Sequence, residues 1–161
     1  MSEKPPTKPA QNRRKSRELA LKGLYSLFIG KGDLRDIAES LKEDEDYARA
    51  DIGYFESLLN GTAQHAPELD AQIAPLLDRG IAELSPIEHA ILCIAAFELV
   101  HDASIPYRVA INEGVELAKR YGGTDGYKYV NGVLDKLAAA ARPNEAKRDA
   151  TKPKAPRRPR T

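Results

Sequence analysis

The sequence predicts an all-α fold of about seven helices joined by short connections. Three observations carry that expectation. Apolar residues recur at helical spacing through the whole central region. No segment alternates apolar and polar residues convincingly enough to read as a strand. One stretch, from Ile87 to Val100, is apolar nearly all round, which marks a helix buried on every side and therefore a central strut.

The elements follow in order. Leu21, Leu24, Tyr25 and Phe28 share one helical face, and Gly30 and Gly32 end that helix. Asp33 can cap a second helix carrying Leu34, Ile37 and Leu41. The acidic run Glu43–Asp46 is expected to open a third, with Ala48, Ile52, Phe55 and Leu59 on one stripe and Gly61 near its end. Pro67 is expected to restart a fourth with Leu69, Ile73, Leu76 and Leu77, bent or divided at Pro75. Ser85-Pro86-Ile87-Glu88 is a capping box with proline at the first helical position, and it opens the apolar helix. Pro106 precedes a helix from about Val109 to Tyr121, stopped by Gly122 and Gly123. Thr124 or Asp125 caps a last helix with the stripe Val130, Val133, Leu134 and Leu137.

The 161 residues carry a formal charge of +1, and that average hides an uneven distribution. Residues 1–17 carry +5, residues 142–161 carry +6, and the stretch between carries −10. Seven of the 11 prolines lie in the two ends. Such composition cannot bury enough apolar surface to offset ordering entropy. Residues 1–11 and 142–161 are therefore read as disordered basic tails around a folded domain, 12–141. No apolar run approaches the roughly 18 residues of a membrane span, and the polar, basic start is not a secretory signal. One cysteine, Cys93, excludes a disulfide framework and any multi-thiolate zinc site. Together these features point to the cytoplasm.

The chemistry for catalysis is thin. His65, His89 and His101 are scattered without metal-ligand spacing and read as surface or packing residues. The glycine-rich run at 122–126 lacks the ending of a phosphate-binding loop, and helix termination explains it. Cys93 lies in the most apolar helix, where burial favours an inert thiol. No cofactor and no metal is expected. Binding has more support. Arg13, Arg14, Lys15 and Arg17 lead into the first helix, and Tyr25 follows two turns later. Guanidinium groups suit phosphates, and an aromatic ring suits an unpaired base. Residue pattern alone leaves a second reading open, a solubilising arm with Tyr25 in the core. Tyr121, Tyr127, Lys128 and Tyr129 form a second aromatic and basic group around the turn before the last helix, where exposed N–H groups favour phosphate. Packing of Tyr121 or Tyr129 against neighbours is the competing reading.

The segments RRKSRELALKGLY (13–25), LSPIEHAILCIAAFEL (84–99), PYRVAINEGVELAKRY (106–121) and KYVNGVLDKL (128–137) resemble the transcription antitermination factor NusB family over the whole of 12–141. The resemblance implies two helical bundles packed at a shared core around the buried central helix. It implies recognition of boxA RNA in ribosomal RNA operon transcripts together with NusE, a small-subunit ribosomal protein, and assembly of an antitermination complex on RNA polymerase. It implies no enzyme activity. Carried over by position, it makes Arg13, Arg14, Lys15, Arg17 and Tyr25 RNA contacts, joined by Tyr121, Asp125, Lys128 and Tyr129. Glu88 matches an acid near the NusE-facing surface, and it is also the capping-box residue.

Two departures stand out. Many family members carry Arg at the position of Cys93, and Phe is common at the position of Tyr129. Two rival functions compete with this one: a protein-interaction bundle with nonspecific basic tails, and an RNA-modifying enzyme. The roughly 20 residues after the bundle are too few for a catalytic domain of the second kind. The sequence is compatible with a monomer or a homodimer.

Overall fold

The computed structural model describes residues 9–123 and 125–151, and every regular element among them is helical. Helix α1 spans Pro9–Phe28, α2 Leu34–Leu41, α3 Ile52–Ile73, α4 Pro86–His101, α5 Tyr107–Tyr121, α6 Gly126–Ala141 and α7 Pro143–Thr151. Short 3-10 turns occupy Tyr47–Arg49, Ala74–Leu76 and Ile81–Glu83. Gly30 (φ +77°) and Gly32 (φ +140°) turn the chain between α1 and α2 through backbone conformations that side chains disfavour. Asp33 then caps α2, its carboxylate accepting from the Asp36 N–H at 2.9 Å.

Helix α4 is the predicted strut. Ala90 to Ala96 and Leu99 are all buried, and the helix packs against α1, α3, α5 and α6. Ser85 caps it, its hydroxyl accepting from the Glu88 N–H at 3.2 Å. Two glycines set how closely neighbours approach. A Cβ on Gly61 of α3 would lie 2.4 Å from the Phe97 ring, and one on Gly114 of α5 would lie 2.8 Å from Leu134.

Among the described residues the expected helix count of seven holds, but by a different division. The predicted third and fourth helices are one. Helix α3 runs without a break through Gly61 and Pro67. A proline inside a helix costs about 3 kcal/mol or more. Phe55, Leu58, Leu59, Thr62, Leu69 and Ile73 nevertheless form one buried stripe on both sides of it. Each apolar side chain there contributes roughly 1.5–3 kcal/mol, so packing outweighs the local break. Only at Pro75 does the chain tighten into a 3-10 turn.

The acidic run Glu43–Asp46 does not open a helix. Asp44 accepts from the Asp46 N–H and pairs with Lys22 of α1, both at 2.9 Å, which holds the run as a turn. Asp51 caps α3 instead, accepting from the Tyr54 N–H at 3.1 Å.

Helical structure extends past both ends of the expected domain. Residues 9–11, expected in the N-terminal tail, belong to α1, and residues 143–151, expected in the C-terminal tail, form α7. Arg142 explains the second change. Its guanidinium donates to the Glu98, Leu99 and Asp102 carbonyls at 3.0, 2.7 and 2.7 Å, closing the open end of α4. It also pairs with Glu145 at 2.6 Å, and Glu145 accepts from the Tyr107 N–H at the start of α5. Arg142 and the first turn of α7 thus satisfy backbone groups of two other helices. Those partners hold the Glu145 carboxyl below the usual range, the Tyr107 N–H foremost and Arg142 next. The rest of both expected tails, 1–8 and 152–161, lies outside the described residues.

Candidate nucleic-acid interface

The basic start of α1 divides into exposed and buried members. Arg13 is exposed, with its guanidinium 4.7 Å from the centre of the Tyr54 ring. Arg14 has a side chain 55% exposed and forms a two-pronged pair with Glu113 of α5 at 3.0 and 3.2 Å. The Glu113 hydrogen bond and charge hold its guanidinium still more firmly protonated. Lys15 is half-buried between Glu18 at 3.1 Å and Asp46 at 3.6 Å.

Arg17 does not belong with them. It is 3% exposed, and its guanidinium grips Glu98 of α4 at 2.7 and 2.9 Å. The Tyr54 hydroxyl donates to the same carboxylate at 2.7 Å. Burial alone opposes the Arg17 charge, but the Glu98 hydrogen bond and charge outweigh it, so its affinity for the proton rises. Burial, then the Glu98 charge, drive the Tyr54 hydroxyl upward as well. Arg17, expected as an RNA contact, is thus turned into the core and paired there, unlike Arg13 and Arg14. The sequence carries one signal for this, Glu98 within the apolar run from Ala90 to Val100, because a buried carboxylate demands a cation.

Helix α5 brings part of the second group to α1. Arg120 pairs with Glu18 at 2.8 Å, and the neighbouring Tyr121 lies half-buried within electrostatic range of Glu18, Lys22 and Lys15. Burial, then the Glu18 charge, raise the Tyr121 hydroxyl above its ordinary range. Tyr25 lies at the surface, 37% exposed, rather than in the core. Asp125 and Lys128 sit exposed at the start of α6, 3.8 Å apart, and Asp125 makes no side-chain cap bond there. Thr124, the other predicted cap, lies outside the described residues. The ring of Tyr127 lies 5.3 Å from the Lys119 ammonium.

Tyr129 separates from this group. Its hydroxyl donates to Asp78 at 2.9 Å, and Arg79 covers its ring at 4.5 Å. Arg79 first, then Tyr129, hold the Asp78 carboxyl below the usual range. Tyr129 thereby ties the turn after Ala74–Leu76 to α6, with one ring face already used. Glu88 is half-buried, and its carboxylate is 3.7 Å from the place a Cβ on Gly126 would take, so it faces the start of α6.

The Cys93 thiol donates to Asp70 at 3.4 Å. The same carboxylate oxygen is 2.6 Å from His89, whose ring stacks on Phe28 with centres 4.5 Å apart. Burial, reinforced by Asp70, pushes the thiol far up. His89 and Cys93 thus share one oxygen of the Asp70 carboxylate.

Comparison with known proteins agrees with this architecture. The NusB family model matches residues 14–139. The transcription antitermination protein NusB of Methylobacillus flagellatus is 63% identical over 91% of this chain and 96% of its own length. The protein of that name from Thiobacillus denitrificans is 56% identical over 83% of this chain and 92% of its own. Among solved structures, T. maritima NusB superposes with a TM-score of 0.72 at 29% identity, covering 84% of this chain and 96% of that one. A chain from the crystal structure of antitermination factors NusB and NusE in complex with double-stranded RNA gives a TM-score of 0.69 at 24% identity, covering 79% and 96%. With the family model spanning α1 to α6 and relatives matched over nearly their full length, the chain belongs to the NusB family.

Proposed function

We propose that this protein is an RNA-binding transcription antitermination factor that acts by recognition, without catalysis. It binds boxA RNA of ribosomal RNA operon transcripts together with NusE and helps assemble an antitermination complex on RNA polymerase, in the cytoplasm. The observation that carries this reading is the near-full-length match to relatives named transcription antitermination protein. The solved NusB–NusE–RNA assembly of a protein with the same fold supports the choice of partners. No helix among the described residues is long and apolar enough to cross a membrane.

The geometry narrows the surface. Arg13, Arg14 and Lys128 offer exposed cations, Lys15 a partly shielded one, and Tyr25 and Tyr121 aromatic faces. Arg14 and Lys15 are already paired with carboxylates, so RNA must compete for them. Arg17 holds α1 on α4, which positions this surface without touching RNA. Asp125 can accept from base amino groups while repelling phosphate. Glu88, facing the start of α6, is the candidate residue for NusE contact.

Replacing both Arg13 and Arg14 by alanine tests the surface. RNA binding in the presence of NusE should weaken, and the slope of log K against log salt should become shallower by about 1.4, at about 0.7 per single-strand phosphate contact. Unchanged binding and slope would place the RNA elsewhere.

A further inference from the structure

The histidines that look scattered in sequence converge on the seam between α3 and α4. His65 and Glu68 lie one turn apart on α3, and His101 is the last residue of α4. The two imidazole rings stack with centres 4.3 Å apart. Glu68 spans both: one carboxylate oxygen is 3.1 Å from His65 Nδ1, and the other is 3.2 Å from His101 Nε2. We propose that His65, Glu68 and His101 form a binding site for a divalent transition-metal ion of the zinc type.

The donor set is that of an open zinc site, two neutral imidazoles and a carboxylate, with the remaining position left to water. The spacing suits it. Metal–ligand bonds of about 2.0–2.1 Å in a tetrahedron place neighbouring donor atoms about 3.3 Å apart. Whichever Glu68 oxygen ligates, one histidine–carboxylate edge already has nearly that length, because each oxygen faces a different ring. All three donor atoms lie within 4.8 Å of one another, so small side-chain rotations bring the remaining edges to that spacing.

The surroundings also fit. The Gln72 amide donates to the Glu68 carboxylate at 3.3 Å, the kind of outer contact that orients a ligating group. Phe97 backs both rings, with centres 5.4 Å from His101 and 6.2 Å from His65. All three ligands are partly open to solvent, so an ion has an entry path. The other cluster on this seam, Asp70, His89 and Cys93, is less suited to binding an ion, because its thiol is fully buried and driven toward the protonated form. A metal at the first site would cross-link α3 to the end of α4, beside the carbonyls that Arg142 caps.

The test is calorimetric titration of Zn2+ into the full chain without an affinity tag, paired with the absorption spectrum of its Co2+ form. The expected result is one saturable equivalent. The Co2+ spectrum should show tetrahedral ligand-field bands without a thiolate charge-transfer band. His65→Gln and His101→Gln should each weaken binding by at least about tenfold, while their circular dichroism stays that of the parent. Cys93→Ser should bind as the parent does. Absence of saturable binding overturns the proposal. So does binding that survives the double His65→Gln, His101→Gln substitution, or a thiolate band that disappears with Cys93→Ser.

Discussion

Replacing Arg17 by alanine separates a structural role from an RNA-binding one. The substitution leaves the Glu98 carboxylate buried with only the Tyr54 hydroxyl for company. Removing one partner of a buried ion pair costs about 3–5 kcal/mol, a large share of the roughly 5–15 kcal/mol that stabilises a domain. With a urea dependence of about 2 kcal/mol/M, the unfolding midpoint should fall by roughly 2 M. Removing both charges tells a different story. Arg17→Met with Glu98→Leu exchanges the pair for apolar groups of similar size, a change that is often neutral or stabilising. The double variant should therefore unfold near the parental midpoint and bind boxA RNA with parental affinity. Urea unfolding followed by circular dichroism, with RNA titration of the folded double variant, reads both quantities. A stable double variant that has lost RNA affinity would show that the Arg17 guanidinium reaches RNA. A single variant as stable as the parent would show that the ion pair does not hold α1 to α4.

Three further outcomes follow from packing and charge. Gly61→Ala should lower the melting temperature, because its Cβ would lie 2.4 Å from Phe97 and overpacking costs about 1–3 kcal/mol; helix propensity alone predicts a rise, so calorimetry decides between them. The Cys93 thiol should resist iodoacetamide at pH 8 in the native protein and react once urea exposes it, and rapid native labelling would contradict its burial beside Asp70. The Asp44 carboxyl is held below its usual range, by the Asp46 N–H first and Lys22 next. Its contribution to stability is thus present above the unfolded carboxyl pKa of about 3.9 and is lost as pH falls through the lower folded value. Asp44→Asn should flatten that part of the acid unfolding profile, and an unchanged profile would show that the pairing with Lys22 carries no stability.

Local chemistry made much of the fold legible in the sequence. The Ser85 and Asp33 caps, the glycine turns at 30 and 32 and the mostly apolar α4 are governed by neighbours within a turn or two, and the structure places them as expected. Misreadings arose where distant groups decided the outcome. Pro67 punctuates the sequence, yet a buried stripe on both sides carries α3 through it. Arg142 and Glu145 look like members of a polar tail until α4 and α5 present open backbone groups to them. Arg17 reads as one more surface cation because Glu98 is 81 positions away. The grouping of His65 with His101 is invisible to spacing for the same reason, since it depends on how α3 lies along α4. On the candidate interface, the sequence marked the cations but not the acids that pair with them, Glu113 above all.

Recognition of boxA RNA is tested most directly by titrating a boxA RNA and a scrambled RNA of equal length against the full chain, with and without NusE, over a range of salt. The proposed function predicts preference for boxA, a marked gain in affinity when NusE is present, and a negative salt slope that Arg13→Ala and Arg14→Ala make shallower. Equal affinity for the two RNAs at every salt concentration, unaffected by NusE, would contradict it and leave only a bundle with nonspecific basic ends.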